Sequence, residues 1–186
     1  MESRASLATY LATLSAANSP GVDAKVIRFA TVITEGVGPG EREAVLAVLN
    51  HFVAEKNRQT RLESQRFDRG STPASRLPTV YREWVLEEWT LTGPGEDWGE
   101  QLESLYQRAP VFAILSGLGK GSWRPISHFC KRHQIPCLFP STNLPDATEG
   151  DFYTLYFSRG LGLEADLIAS HLRAQPVPAV IKVLLQ

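Results

Sequence analysis

The stretch from residue 111 to residue 142 constrains the fold of this chain more than any other part of the sequence. It opens with the unbroken apolar run VFAIL, passes through the glycine-rich SGLGKGS, continues with apolar residues at helical spacing and closes with a second apolar run, CLF. This order predicts a strand, a turn, a helix and a second strand, which together form a βαβ unit. Apolar strands without alternation are typical of a parallel sheet that is covered on both faces. Binding sites in such sheets lie where the strands end, which here means the predicted loops 116–123 and 140–145.

Apolar runs and helical patterns alternate along the rest of the chain. Residues 81–91 fit a helix as well as a strand, but their tryptophans and β-branched residues favour the strand. The arginine-rich residues 58–77 have few large apolar side chains and predict a surface loop. The other predicted strands are 25–33, 153–158 and 179–185, and the other predicted helices are 41–56, 94–108 and one marked by Leu163, Leu167, Ile168 and Leu172. The alternation predicts an α/β fold with a mostly parallel sheet and helices on both faces.

The N-terminal residues form a separate segment in this interpretation. The sequence SLATYLATL, residues 6–14, predicts a short amphipathic helix with Leu7, Tyr10, Leu11 and Leu14 on one stripe. A helix of this length is not stable on its own. We therefore divide the chain into residues 1–22, a helix and linker, and residues 23–186, a single lobe.

Composition argues against several classes of partner. The 19 basic and 20 acidic side chains give a net charge of −1, so there is no general attraction to nucleic acid. The apolar runs are strand-sized, so no membrane span is expected. The only two cysteines, Cys130 and Cys137, do not have the spacing of a metal or haem motif, and we expect neither a metal nor a cofactor. The two cysteines form either a disulfide or two buried thiols.

Patterns typical of catalysis are weak, and we do not expect an enzyme. No serine or cysteine lies in a G-x-S-x-G turn, and all four histidines fall on predicted helices. The glycine loop at residues 117–121 departs from the P-loop pattern, because Ile114 replaces the first glycine and Gly121 follows Lys120 where serine or threonine belongs. A flavodoxin-like or transferase-like enzyme that binds a phosphate at this loop remains an alternative.

The two predicted loops are rich in small hydroxyl groups and backbone amides, which can hold a small polar ligand without chemistry. We expect free N–H groups at the start of the helix after Ser122 to bind an anionic group. Ser122 is also a candidate N-cap of that helix, and Trp123 is expected to form an apolar or cation-facing wall. The candidate ligand-binding residues are Ser116, Gly117, Ser122, Trp123, Ser141 and Thr142.

A family resemblance adds to this interpretation. The succession SGLGKGSWRP, IPCLFPSTNLP, FYTLYFSRGLGLEADLIASHL and AVIKVLLQ resembles the first lobe of type I periplasmic substrate-binding proteins of the Leu/Ile/Val class. The resemblance implies a single lobe that recognises an amino acid, an amide or a related small polar ligand for an ABC transporter. By position, Ser122 and the pair Ser141 and Thr142 match the family's residues that hold the amino-acid head group.

The resemblance also implies parts that lie outside this chain, above all the family's second lobe. The N-terminal ATYLATLSAANSPG is similar to the closing helix of a class I cytochrome c, which implies an upstream cytochrome domain and export to the periplasm. If the chain is complete, we expect it in the cytoplasm. A further alternative is a binding-protein fold that serves only as a protein-interaction module.

Overall fold

The computed structural model describes residues 19–68, 81–146 and 152–174. The described strands are β1 (Val26–Thr34), β2 (Glu83–Leu91), β3 (Ala113–Leu115), β4 (Leu118–Ser122), β5 (Cys137–Leu138), β6 (Ser141–Leu144) and β7 (Thr154–Leu155). The described helices are α1 (Pro39–Asp68), α2 (Trp98–Arg108), α3 (Arg124–His133) and α4 (Leu161–Ala174). None of these helices combines the length and the apolar character that a membrane crossing requires.

The described strands form one parallel sheet. Strand β2 pairs with β1 along the whole length of β1, so β3 and β4 must share the opposite edge of β1. Strand β5 pairs with β3, β6 pairs with β4, and β7 pairs with β5. Across the sheet the order is therefore β2, β1, β3 with β4, β5 with β6, and β7. This is the order of a doubly wound α/β domain and confirms the predicted fold class.

Helices lie on both faces of this sheet. Trp84 and Trp89 are an odd number of residues apart in β2 and so project from opposite faces. Trp84 contacts Phe52 of α1, with ring centroids 6.2 Å apart. Trp89 contacts Phe129 of α3, also at 6.2 Å. The main core lies on the α3 face, where α2 also packs, and includes Ala30, Val32, Trp89, Leu91, Leu102, Ile114, Trp123, Ile126, Phe129, Cys130 and Cys137.

Helix α1 is longer than the sequence predicted. It continues to Asp68, so the predicted loop is wrong for residues 58–68, and residues 69–80 lie outside the described part. The reason is local: Arg58 pairs with Glu55 at 2.6 Å across one helical turn, and this segment is rich in straight-chain residues that favour helix. A segment with few apolar residues can still form a helix when side chains one turn apart stabilise one another.

The two predicted binding loops also contain strands. Residues 118–122 form β4 and residues 141–144 form β6, because each segment has a parallel neighbour with which its backbone pairs. Residues 81–91 fit a helix as well as a strand in the sequence and were predicted to form a strand. The structure confirms this prediction, and the strand is β2. The strands predicted at 137–139 and 153–158 are present but are only two residues long.

Three further predictions have different outcomes. The helix at 6–14 and the strand at 179–185 lie outside the described residues. Cys130 and Cys137 form no disulfide and are fully buried, so of the two alternatives the structure shows two buried thiols.

Candidate functional site

Two neighbouring strands are interrupted at matching positions. Residues 116–117 separate β3 from β4, and residues 139–140 separate β5 from β6. Residues that pair across the two strands are separated by the same number of positions in the sequence before and after the interruptions. Ser116 therefore lies opposite Phe139. Both have a positive φ, 47° for Ser116 and 57° for Phe139, which residues other than glycine rarely adopt. The two strands therefore leave the extended conformation together.

Hydrogen bonds continue the sheet across these interruptions. The N–H of Ser116 donates to the carbonyl of Leu138 at 2.8 Å, and the N–H of Ser141 donates to the carbonyl of Gly117 at 2.7 Å. From β1, the buried hydroxyl of Thr31 donates to the carbonyl of Ser116 at 3.2 Å. Surrounding bonds of this kind are what allow an unfavourable backbone conformation to persist. The interruptions are thus fixed parts of the sheet.

Trp123 occupies the core beside the first interruption. Its side chain is fully buried, and its ring lies so close to two glycines that an added Cβ would be 2.4 Å from it at Gly117 and 2.6 Å from it at Gly119. The sequence predicted Trp123 as a wall facing the ligand, and the structure instead places its side chain in the core. The two glycines at alternate positions before the tryptophan are the sequence signal that could have indicated this contact.

Two of the predicted hydroxyl groups are available to a ligand. Ser116 is half-buried and Ser141 is exposed. Neither hydroxyl group has a hydrogen-bond partner among the residues that the structure describes. Ser141 is bonded through its backbone to Gly117, so three of the predicted residues lie together at the interruption.

The other two predicted hydroxyl groups bond within the protein. The hydroxyl of Thr142 donates to the carbonyl of Gly121 at 3.3 Å and accepts from the N–H of Leu144 at 3.2 Å. The hydroxyl of Ser122 accepts from the N–H of Arg124 at 3.3 Å. These two side chains therefore fasten the end of β4 to β6 and to α3.

The start of α3 has no free N–H group to offer, contrary to the sequence prediction. The N–H of Trp123 donates to the carbonyl of Leu144 at 3.0 Å, and the N–H of Arg124 donates to Ser122. Pro125 has no N–H, and the N–H groups of the two residues after it both donate to the carbonyl of Trp123. The N-cap position belongs to Trp123 rather than to Ser122.

A cleft of about 710 Å³ opens at the same carboxyl edge, between the turn that precedes α2 and the start of α3. Three side chains that carry or can carry positive charge line it, Lys120, Arg124 and His128, against one carboxylate, Glu96. Of the predicted site residues, only Ser122 lines this cleft. Sequence reasoning missed the cationic residues, although Lys120 and Arg124 flank the predicted serine.

Lys120 joins this cleft to the end of β1. Its N–H donates to the hydroxyl of Thr34 at 2.9 Å, and its ammonium group lies 3.6 Å from the carboxylate of Glu41. Its stem passes beside Gly36 in the loop that follows β1. Lys120 thus stands between β1 and β4, where the strand order reverses.

A partly buried network of hydroxyl groups contacts the first turn of α3 through Ser127. The hydroxyls of Ser127 and Tyr156 are 2.7 Å apart, and the hydroxyl of Thr154 donates to Ser127 at 3.2 Å. The N–H of Asp146 donates to the hydroxyl of Tyr156 at 3.1 Å. Burial raises the pKa of Tyr156 to about 12. The phenol therefore stays neutral at physiological pH and ties β7 to α3 and to the segment after β6.

Metal ligands are not grouped in the part of the chain that the structure describes: no three or more His, Cys, Asp or Glu side chains come together. The four histidines lie on helices, His51 on α1, His128 and His133 on α3, and His171 on α4. What the described carboxyl edge presents to a ligand is two serine hydroxyl groups and a cleft with cationic side chains.

Comparisons with known proteins give one similar structure. No family model matches the chain, and no curated protein matches it. The chain is similar to the crystal structure of a possible leucine/isoleucine/valine-binding protein from Rhodopirellula baltica SH 1, with 15% sequence identity and a TM-score of 0.43. The match covers 82% of this chain and 37% of that protein.

Proposed function

We propose that this chain is a non-catalytic recognition lobe that binds a small polar ligand, an amino acid or a related carboxylate or amide. The observation that carries the proposal is the pair of hydroxyl groups of Ser116 and Ser141, which have no partner among the described residues. They lie at the two matched interruptions, where the backbone conformation is held by the sheet itself. Polar groups that are fixed in place but left without a partner are what a small-ligand site requires.

The position in the fold supports the same conclusion. The strands that follow β1 in the sequence lie on opposite sides of it in the parallel sheet, β2 on one side and β3 on the other. In open α/β sheets, ligands bind in the crevice at the carboxyl ends of the strands where this reversal occurs. Ser116 ends β3 and is bonded through its carbonyl to Thr31 of β1, so it lies at that crevice.

The charges favour a ligand with an anionic group. Lys120, Arg124 and His128 line the cleft together with Glu96. Lys120 also pairs with Glu41, and His128 lies 3.6 Å from a carboxylate oxygen of Asp146, so Arg124 is the lining cation without an ion pair among the described residues. A guanidinium group without an ion pair raises the local concentration of anions around it. We therefore place the ligand's carboxylate toward Arg124, and its uncharged polar groups toward the two serines.

In the wider proposal, the chain is one half of a binding cleft in an exported protein that resembles the type I periplasmic substrate-binding proteins. A second lobe, outside this chain, would supply the remaining contacts. Because half of the contacts are missing, we expect this lobe alone to bind its ligand with a dissociation constant on the order of millimolar.

The phosphate-binding alternative has less support in the geometry. Residues 118–122 form a strand in place of an open loop, and the ring of Trp123 occupies the space beside Gly117 and Gly119. A phosphate cradle needs backbone N–H groups that are free to converge on the anion, and those at the start of α3 are already bonded.

A titration of the isotope-labelled chain tests the proposal. We expect amino acids, small amides or small carboxylates to shift the amide resonances of residues 116–117 and 139–142. Ser116→Gly removes the hydroxyl at a position whose positive φ suits glycine, and it should weaken binding at least several-fold without loss of the fold. Ser104→Ala, on the exposed side of α2, is the control. A response to phosphate or nucleotides alone, at residues 117–121, would contradict the proposal and favour the enzyme alternative.

A further inference from the structure

The register between β1 and its neighbour changes by one residue beside the candidate site. Ala30 of β1 pairs with Ile114 of β3, whereas Ile33 of β1 pairs with Leu118 of β4. The two residues of β1 between these pairs therefore face three residues of the neighbouring strand, 115–117. An extra residue on one of two paired strands is a β-bulge, which bends that strand and changes the direction of a side chain.

Ser116 is the middle residue of this bulge and has the left-handed φ of 47°. In an extended strand, alternate side chains project from the same face, so Ser116 would follow Ile114 into the core beneath α3. The left-handed conformation breaks this alternation, and Ser116 is half-buried. The backbone conformation of residue 116 therefore decides whether its hydroxyl group is directed into the core or is available to a ligand.

The two backbone groups of Ser116 bond to different neighbouring strands. Its N–H donates to the carbonyl of Leu138 in β5 at 2.8 Å, whereas its carbonyl accepts from the hydroxyl of Thr31 in β1 at 3.2 Å. In an extended strand, both backbone groups of a residue point toward the same neighbour. The bond to Thr31 therefore depends on the bulge conformation of Ser116, and it stabilises that conformation in turn.

Thr31 cannot contact a ligand itself, because its side chain is fully buried. It lies in the largely apolar strand β1, where a hydroxyl group costs free energy unless it is hydrogen-bonded. The bond to Ser116 offsets that cost. Any effect of Thr31 on a ligand must therefore act through the conformation of Ser116.

We propose that Thr31 is a positioning residue of the ligand site: its hydroxyl group holds Ser116 in the left-handed conformation and thereby sets the affinity for the ligand. This inference rests on the function proposed above, in which the hydroxyl of Ser116 contacts the ligand. Thr31 lies 85 residues before Ser116 in the sequence, so no local sequence pattern around the candidate loop indicates this role. The register change at β1 is what brings the two residues together.

Two substitutions of Thr31 in the full chain test the effect on affinity, with L-alanine, acetamide and acetate as probes. Thr31→Val keeps the branched shape and the strand preference of threonine but lacks the hydroxyl group. It should raise the dissociation constant of each probe that the wild-type chain binds at least several-fold, whereas Thr31→Ser should bind as the wild-type chain does. Leu102→Val, in the buried core on α2, controls for a general loss of stability and should leave the dissociation constants unchanged. Wild-type affinity in Thr31→Val, or equal losses in Thr31→Val and Thr31→Ser, would overturn the proposal.

A second measurement needs no ligand and separates this inference from the proposed function. The three-bond NMR coupling between the amide and Hα hydrogens of residue 116 is smaller in a left-handed residue than in an extended one. It should increase in Thr31→Val, and in Thr31→Ala, which removes the hydroxyl without adding a buried methyl group, and it should stay unchanged in Thr31→Ser. An unchanged coupling in the two variants without the hydroxyl would overturn the proposal even if the chain binds a probe. An increased coupling in a chain that binds none of the probes would contradict the proposed function and still support the role of Thr31 in holding Ser116.

Discussion

His133 lies 2.8 Å and 3.0 Å from the two carboxylate oxygens of Glu103, through its Nε2 atom, and so joins α3 to α2. Its ring is placed between those of Tyr106 and Phe129, with centroids 4.5 Å and 4.6 Å away. Arg132 also reaches Glu103, at 3.0 Å. The hydrogen bond with His133, supported by Arg132, holds the pKa of Glu103 below its usual value in spite of partial burial.

This lowered pKa predicts a pH-dependent stability. Because the folded state favours the ionised carboxylate, the stabilisation is present above the carboxyl's unfolded pKa, about 4.3, and is lost as the pH falls through the lower folded value. Glu103→Gln should lower the free energy of unfolding by roughly 1 kcal/mol at pH 7, and the difference should shrink below about pH 4. Urea unfolding across pH 3–7 measures it. Glu100→Gln, exposed on the same helix, is the control; equal pH profiles for the two variants would contradict the prediction.

The alternation of strands and helices was predictable because it follows from burial. The largely apolar β1 and the continuous apolar run of β3 contain residues buried on both faces of the sheet, and this burial is visible in the local sequence pattern. The strand in residues 81–91 was favoured over a helix by its tryptophans and β-branched residues, and these tryptophans contact both layers of helices.

A second prediction concerns the space beside Trp123. Gly117→Ala should destabilise the fold by about 1–3 kcal/mol, because the added methyl group would meet the buried ring at 2.4 Å and the carbonyl of Val32 at 2.8 Å. Gly99→Ala, in α2, has no neighbour within 4 Å and should instead stabilise by up to about 1 kcal/mol. Thermal or urea unfolding distinguishes them. Similar effects from the two substitutions would show that the ring does not press against Gly117.

The geometry of the candidate site was less predictable because it depends on neighbouring strands. Nothing in the sequence around Ser116 or Phe139 marks a left-handed conformation, since neither is a glycine and each is held by bonds to another strand. The burial of Trp123 depends in the same way on its contact with glycines in β4 and just before it. Sequence reasoning therefore predicted that the two loops follow β3 and β5, but not which of their polar groups bond within the protein.

The third prediction concerns the two thiols. Cys130 and Cys137 form no disulfide and have no exposed surface, so a thiol reagent should not modify either of them rapidly in the native chain. Both should react once denaturant unfolds the protein, and a non-reducing gel should show no internal disulfide. One or two rapidly reacting thiols in the native chain would contradict the burial.

The last prediction concerns the outer edge of β2, which pairs only with β1 among the described strands. Asn57 of α1 protects that edge: its side-chain nitrogen donates to the carbonyl of Trp84 at 2.9 Å, and its oxygen accepts from the N–H of Trp84 at 2.9 Å. Asn57→Ala should lower the free energy of unfolding by about 1–3 kcal/mol, since both backbone groups lose a partner. It should also increase self-association at high protein concentration, because an unprotected edge can pair with another chain. Urea unfolding and sedimentation measure the two effects. Asn50→Ala, exposed on the same helix, should produce neither, and a monomeric, fully stable Asn57→Ala chain would show that this edge does not need the asparagine.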